Sequence, residues 1–184
     1  VLELNTQSQQ HLGCTLNINS FEFIVGFYSR DHKMYRTFSW KLRSWLISIL
    51  TLSKWTHCSF QLKAKDFDSS LFAVDGKEAS LVRTESLHAY FGKPDKEVSL
   101  GIIEFEISDY DKVENYFNTK PKGTTLDAVL WFLGLKRNIA TCATVTTDVL
   151  NILGYKTKRC VSPKQLLKEI NNANDNPWRT SKSR

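Results

Sequence analysis

The sequence predicts an α+β fold in which an antiparallel sheet packs against helices. Three observations carry that expectation. Runs rich in aromatic and β-branched residues, beginning with FEFIVGFY (Phe21 to Tyr28), occupy the chain as far as VSLGIIEFEIS (Val98 to Ser108). Beyond that point the apolar residues recur with helical spacing. At 184 residues, with 41% apolar and 12% aromatic content, the chain is long enough to bury a core as one domain and too apolar to be disordered.

Residues 1–20 are polar and irregular and read as a peripheral lead-in. The domain itself is expected over residues 21–172, with residues 173–184 as a polar, frayed tail. After the first strand, Trp40, Leu42, Trp45, Leu46, Ile49 and Leu50 fit a helical stripe between Phe38 and Leu52, expected to pack into the core, with Lys41 and Arg43 turned away from it. This helix delivers the chain to a strand from His57 to Leu62. SLFAVDG and ASLVRTESL read as two adjacent short strands with a turn near Gly76, and VSLGIIEFEIS as a longer one. SDYDKVENYFN, capped at Ser108 or Asp109, and TTLDAVLWFLG, ending at Gly134, read as helices. ATCATVTTDVLNILGY reads as a helix that ends at Gly154. SPKQLLKEIN follows with Ser162 at the N-cap, Pro163 at N1 and Gln165 at N3.

Composition excludes several classes. The longest apolar cluster, WLISILTL, is too short to span a bilayer, and the first twenty residues lack the pattern of a signal peptide, so a soluble protein is expected. The chain begins at Val1 and has Met34 as its only methionine, which fits a piece of a longer polypeptide or assembly. Four cysteines, Cys14, Cys58, Cys142 and Cys160, show neither C-x-x-C spacing nor a His/Cys ligand pattern, so no metal or other cofactor is expected. They are too few for a disulfide framework, which favours a reducing compartment such as the cytoplasm, with virion association as a further setting. The formal charge of +6 favours anionic surfaces, but no basic stripe or motif marks a specific nucleic-acid binder.

Chemistry concentrates on two residues. Cys142 opens the most helix-like run of the chain, where unpaired backbone N–H groups and the positive dipole end favour a thiolate. Thr141 is the expected N-cap, which leaves the sulfur at the mouth of the helix. His57 opens a strand, KWTHCSFQL, and within hydrogen-bond reach of Cys142 it would act as base and then as acid. Cys58, one position on, is expected to point to the opposite sheet face, making it the weaker nucleophile. His32, in SRDHKMYR, and His88, in SLHAYF, are rival bases, and neither starts an apolar strand. Against this stand the plainer readings of Cys142 as a buried, inert thiol and His57 as an ordinary hydrogen-bonded strand residue. Tyr28 and Trp55 are expected in the core rather than in a cleft.

The order of these elements, a strand, a helical insert, WTHCSFQL, FAVDG, VRTESL, a further strand, then ATCATVTTDVLNILGY and VSPKQLLKEI, resembles the circularly permuted NlpC-like papain-fold hydrolases. That family places histidine before cysteine in the chain. The likeness runs from about Phe21 to Ile170 and implies a papain-like fold with Cys142 as nucleophile and His57 as general base. The family's third polar residue falls on the strand after the histidine strand, where Asp75 would orient the imidazole and Glu78 is the reserve. Relatives carry a Tyr-Asp pair before the nucleophile, whereas Asp127 here reads as a first-turn helix charge without a catalytic role.

The resemblance implies a cysteine peptidase or amidase that cleaves an amide through a thioester, with a peptidoglycan stem peptide of bacterial or phage context as substrate. Lecithin:retinol acyltransferase-like enzymes share the permuted scaffold and make acyl transfer the first alternative. A basic binding module without turnover is the second.

Overall fold

A computed structural model describes residues 20–64, 70–74, 81–84, 92–104, 107–119, 130 and 140–174. Alternating apolar side chains build its centre. In β1 (Ser20–Ser29), Phe21, Phe23, Val25 and Phe27 all point to one face and are buried. In β2 (Trp55–Ala64), Cys58, Phe60 and Leu62 do the same, directly opposite Phe27, Val25 and Phe23 in an antiparallel pairing. The Phe23 and Phe60 rings stack diagonally across the two strands at 5.3 Å.

β3 (Ser70–Val74), β4 (Leu81–Thr84) and β5 (Lys96–Glu104) complete a sheet of order β4-β3-β2-β1-β5, antiparallel throughout. The expected adjacent short strands are thus β3 and β4. Their turn near Gly76 lies outside the described residues. The run from Val98 divides differently from its sequence pattern: the strand stops at Glu104, and α2 (Ile107–Thr119) begins before Ser108 and Asp109, which therefore sit in its first turn. Asp109 there is favoured by the helix dipole and pairs with Lys112 at 2.9 Å. Of TTLDAVLWFLG only Leu130 is described, and it is helical.

α3 (Cys142–Ile152) and α4 (Pro163–Asn174) lie against β2, and Val145, Val149, Leu150, Leu166 and Ile170 join the sheet's phenylalanines in one core. Both helices are fixed at their ends by the residues the sequence singles out. Ser162 Oγ accepts from the Gln165 N–H at 3.3 Å, and the Gln165 side chain accepts from the Val161 N–H at 3.0 Å. At the far end of α3 the Gly154 N–H donates to Asn151 and the Tyr155 N–H to Leu150, with Gly154 at φ +90°. That left-handed turn closes the helix as a Schellman motif, and a Cβ at Gly154 would strain it.

α1 (Phe38–Thr51) corrects the expected orientation of its apolar stripe. Its buried residues are Ser44 and Ser48, whereas of the expected stripe Leu42, Trp45 and Ile49 are exposed and Trp40, Leu46 and Leu50 half-buried. The physical cause is the surface it docks on. Ser44 Oγ hydrogen-bonds the Arg30 carbonyl at 3.1 Å and the Thr56 hydroxyl at 3.2 Å, and Ser48 Oγ donates to the Ser53 carbonyl at 2.7 Å. A polar, close-packed seat of this kind accepts serine hydroxyls and excludes leucine and tryptophan, which would leave its oxygens without partners.

Candidate active site

The site forms where the start of α3 meets the first half of β2. Thr141 has extended backbone, and its hydroxyl accepts from the Thr144 N–H at 3.1 Å while the Thr144 hydroxyl accepts from the Thr141 N–H at 2.7 Å. This reciprocal cap makes the first turn rigid and leaves the amides of Cys142 and Ala143 at the open end of the helix. Cys142 is half-buried, the only described cysteine that is not fully inside.

β2 brings two groups to the Cys142 sulfur. The His57 imidazole and the thiol and backbone N–H of Cys58 lie close enough to the sulfur to act on its charge. Among the described residues β3 pairs with β2 from Gln61 to Lys63, beyond the stretch of β2 that carries His57 and Cys58. The Cys58 thiol, donating toward the sulfur, and the charge and hydrogen bond of His57 hold the Cys142 thiol well below the usual thiol range, against the opposing effect of burial. Burial pushes Cys58 the other way, and its proximity to Cys142 adds to the rise. Of the two thiols, Cys142 is thus the one whose surroundings favour loss of the proton, and Cys58 the one whose surroundings oppose it.

The expectation for Cys58 needs correcting accordingly. It faces the core with Phe60 and Leu62, and Cys142, at the start of α3, packs against that same core and lies close to it. Cys58→Ala is expected to raise the pH at which Cys142 becomes alkylatable, with the fold kept. A pH–alkylation curve for Cys142 that superimposes on wild type would show that the second thiol contributes nothing.

Tyr35 is a further group that sequence patterns do not reveal. It is buried, its hydroxyl is 2.8 Å from that of Thr56, and Cys142 lies close enough to act on it electrostatically. Burial pushes the Tyr35 phenol up to about 12, so it stays protonated and able to donate. No motif marks it, since it sits in an irregular segment before α1. Tyr28 is fully buried, its ring 5.6 Å from that of His57, and Trp55 packs on the core, as expected for both.

The rivals fall elsewhere. His32 hydrogen-bonds the Lys93 carbonyl at 2.8 Å and the Met34 N–H at 3.1 Å, which engages both ring nitrogens. Cys160 is buried, donates to the Lys158 carbonyl at 3.3 Å, and is pushed up to about 11 by burial, so it is inert. Asp75, Glu78, His88, Asp127 and Cys14 lie outside the described residues. No cluster of metal-ligating side chains is found among the described residues, nor among them any helix long and apolar enough to cross a membrane. No family model, curated protein or solved structure matches the chain.

Proposed function

We propose that the protein is a cysteine hydrolase that cleaves an amide through a thioester on Cys142. The observation that carries this reading is the meeting of Cys142, at a capped helix N-terminus, with His57, in surroundings that favour the thiolate. The thiolate attacks the carbonyl carbon, and the amides of Cys142 and Ala143 hold the oxyanion that develops. The C–N bond then breaks as His57 hands its proton to the leaving amine. Water, deprotonated by His57, attacks the thioester, and breakage of the S–C bond releases the acid and restores the thiolate.

The NlpC-like resemblance makes a peptide of the peptidoglycan stem the substrate, and a chain of net charge +6 suits anionic cell-wall polymers. In that scheme Asp75 orients the imidazole, with Glu78 in reserve. Transfer of the acyl group to an acceptor other than water is the second reading. It shares every step as far as the thioester, and the exposed apolar face of α1, which runs into the His57 strand, favours it.

Iodoacetamide alkylation, followed against pH and resolved by peptide mass spectrometry over all four cysteines, tests the reaction class. Cys142 is expected to label fast well below the ~8.5 of a free thiol, and His57→Ala to slow it. If Cys142 reacts no faster than Cys14, the thioester mechanism is rejected and the basic binding module becomes the better reading.

A further inference from the structure

The least economical feature of the fold is α1, which shows water its most apolar side. Phe38, Leu42, Trp45 and Ile49 recur at spacings of four, three and four residues, which places them on one stripe, and Leu52 follows at the helix's C-cap. All are exposed, Phe38 to 80% and Leu52 to 82%. Ordinary surfaces carry single exposed apolar residues, but a contiguous stripe of four with a fifth at its end, two of them aromatic, marks a binding face. The helix is not loosely placed. Its serine side is tied to Arg30, Thr56 and Ser53, and Lys164 of α4 holds the Leu52 carbonyl at 3.1 Å.

Charge says what the stripe faces. Between Asp31 and Asp66 the sequence has no acidic residue and seven basic ones, Lys33, Arg36, Lys41, Arg43, Lys54, Lys63 and Lys65. At about 100° per residue, Lys41 falls beside the stripe, whereas Arg43 lies roughly 140° round the helix from its axis. Both are exposed, as are Lys33 and Arg36 before the helix and Lys54 after it. A second copy of the chain laid on the stripe would bring these cations against their own counterparts with no acid between them. An anionic surface neutralises them instead.

We propose that the stripe of α1 is a docking surface for an anionic lipid bilayer, with its apolar side chains in the interfacial layer and Lys41, together with Lys33 and Arg36 before the helix and Lys54 after it, reaching the headgroups. Long basic side chains flanking an apolar face that carries tryptophan and phenylalanine are the composition of helices that lie in, and do not cross, a membrane. Anionic headgroups attract each such cation, and salt weakens the attraction. The proposal does not depend on the thioester chemistry. It does place His57, five residues beyond Leu52, beside the lipid surface.

Co-sedimentation of the full chain with vesicles of phosphatidylcholine alone, or with about a third phosphatidylserine, tests it. Binding is expected to the anionic vesicles, at least about tenfold tighter than to neutral ones, and to fall as salt is raised. Leu42→Ser with Ile49→Ser is expected to abolish binding, and Arg36→Glu with Lys41→Glu to weaken it at least about tenfold. Unchanged circular dichroism and unchanged Cys142 alkylation would show each variant folded. Cys142→Ala is expected to bind vesicles like wild type, which separates this result from the fate of the catalytic reading. Three outcomes overturn the proposal. They are equal or absent binding to the two vesicle types, binding that survives Leu42→Ser with Ile49→Ser, and a dimer in light scattering that this double variant dissolves. Absent binding together with strong hydrogen-exchange protection over α1 would assign the stripe to another segment of the same chain.

Discussion

Cys142→Ala is expected to remove acyl transfer almost completely, by about ten-thousand-fold or more, while the protein stays folded. The activity loss follows from chemistry, since no other described sulfur is both accessible and acidified: Cys58 is buried with a raised pKa, and so is Cys160. The fold survives because alanine is the best helix former, and the Thr141–Thr144 cap does not involve the Cys142 side chain. An activated ester such as p-nitrophenyl acetate reads the first half of the reaction without knowledge of the natural substrate. Wild type should release a burst of nitrophenol as the acyl-enzyme accumulates, and Cys142→Ala should show none. His57→Ala should approach the same floor, because nucleophile and base act as a unit and their losses do not add. Cys160→Ala should leave the burst intact. A burst that persists in Cys142→Ala, with the thermal transition unchanged, would remove this residue from the chemistry.

Phe60→Ala is expected to destabilise the protein by about 3–5 kcal/mol. Phe60 is fully buried on β2, stacked on Phe23 and enclosed by the core that α3 and α4 contribute. Its removal leaves a cavity that a sheet braced on both sides by β1 and two helices collapses into only partly. A loss of this size is a large share of the ~5–15 kcal/mol that holds a typical domain together. Urea unfolding followed by circular dichroism measures it directly, as a lower midpoint with an unchanged slope. A change below about 1 kcal/mol would mean that Phe60 is not packed as described. Ile102→Ala, at an exposed position of β5, provides the control and should have little effect.

Local patterns made most of the architecture legible in the sequence. Aromatic and β-branched content over Phe21–Tyr28 marked β1 because that strand lies buried inside the sheet, between β2 and β5. The Thr141 cap, the Gly154 turn and the Ser162/Gln165 cap were readable because helix ends are closed by residues within a few positions of one another. Boundaries were less so. Ile107 and Ser108 alternate well enough to extend the strand before them, yet they belong to α2, since a short apolar run fits either period.

By itself, then, the sequence determined the α+β class, the antiparallel sheet, the helix starting at Cys142 and the strand carrying His57. Each depends on interactions close along the chain. Only the tertiary structure decided which way α1 faces and that His57, Cys58 and Tyr35 lie near Cys142. The stripe on α1 has the same spacing whether it is buried or exposed, and the surface that Thr56 and the Arg30 carbonyl present to Ser44 determined the choice. Cys58 and Cys142 are more than eighty residues apart, and they meet because α3 packs on β2 with its start against the core that holds Cys58. Spacing along a chain encodes which face of an element is apolar. What that face meets is set by packing between elements distant in sequence, which local periodicity does not record.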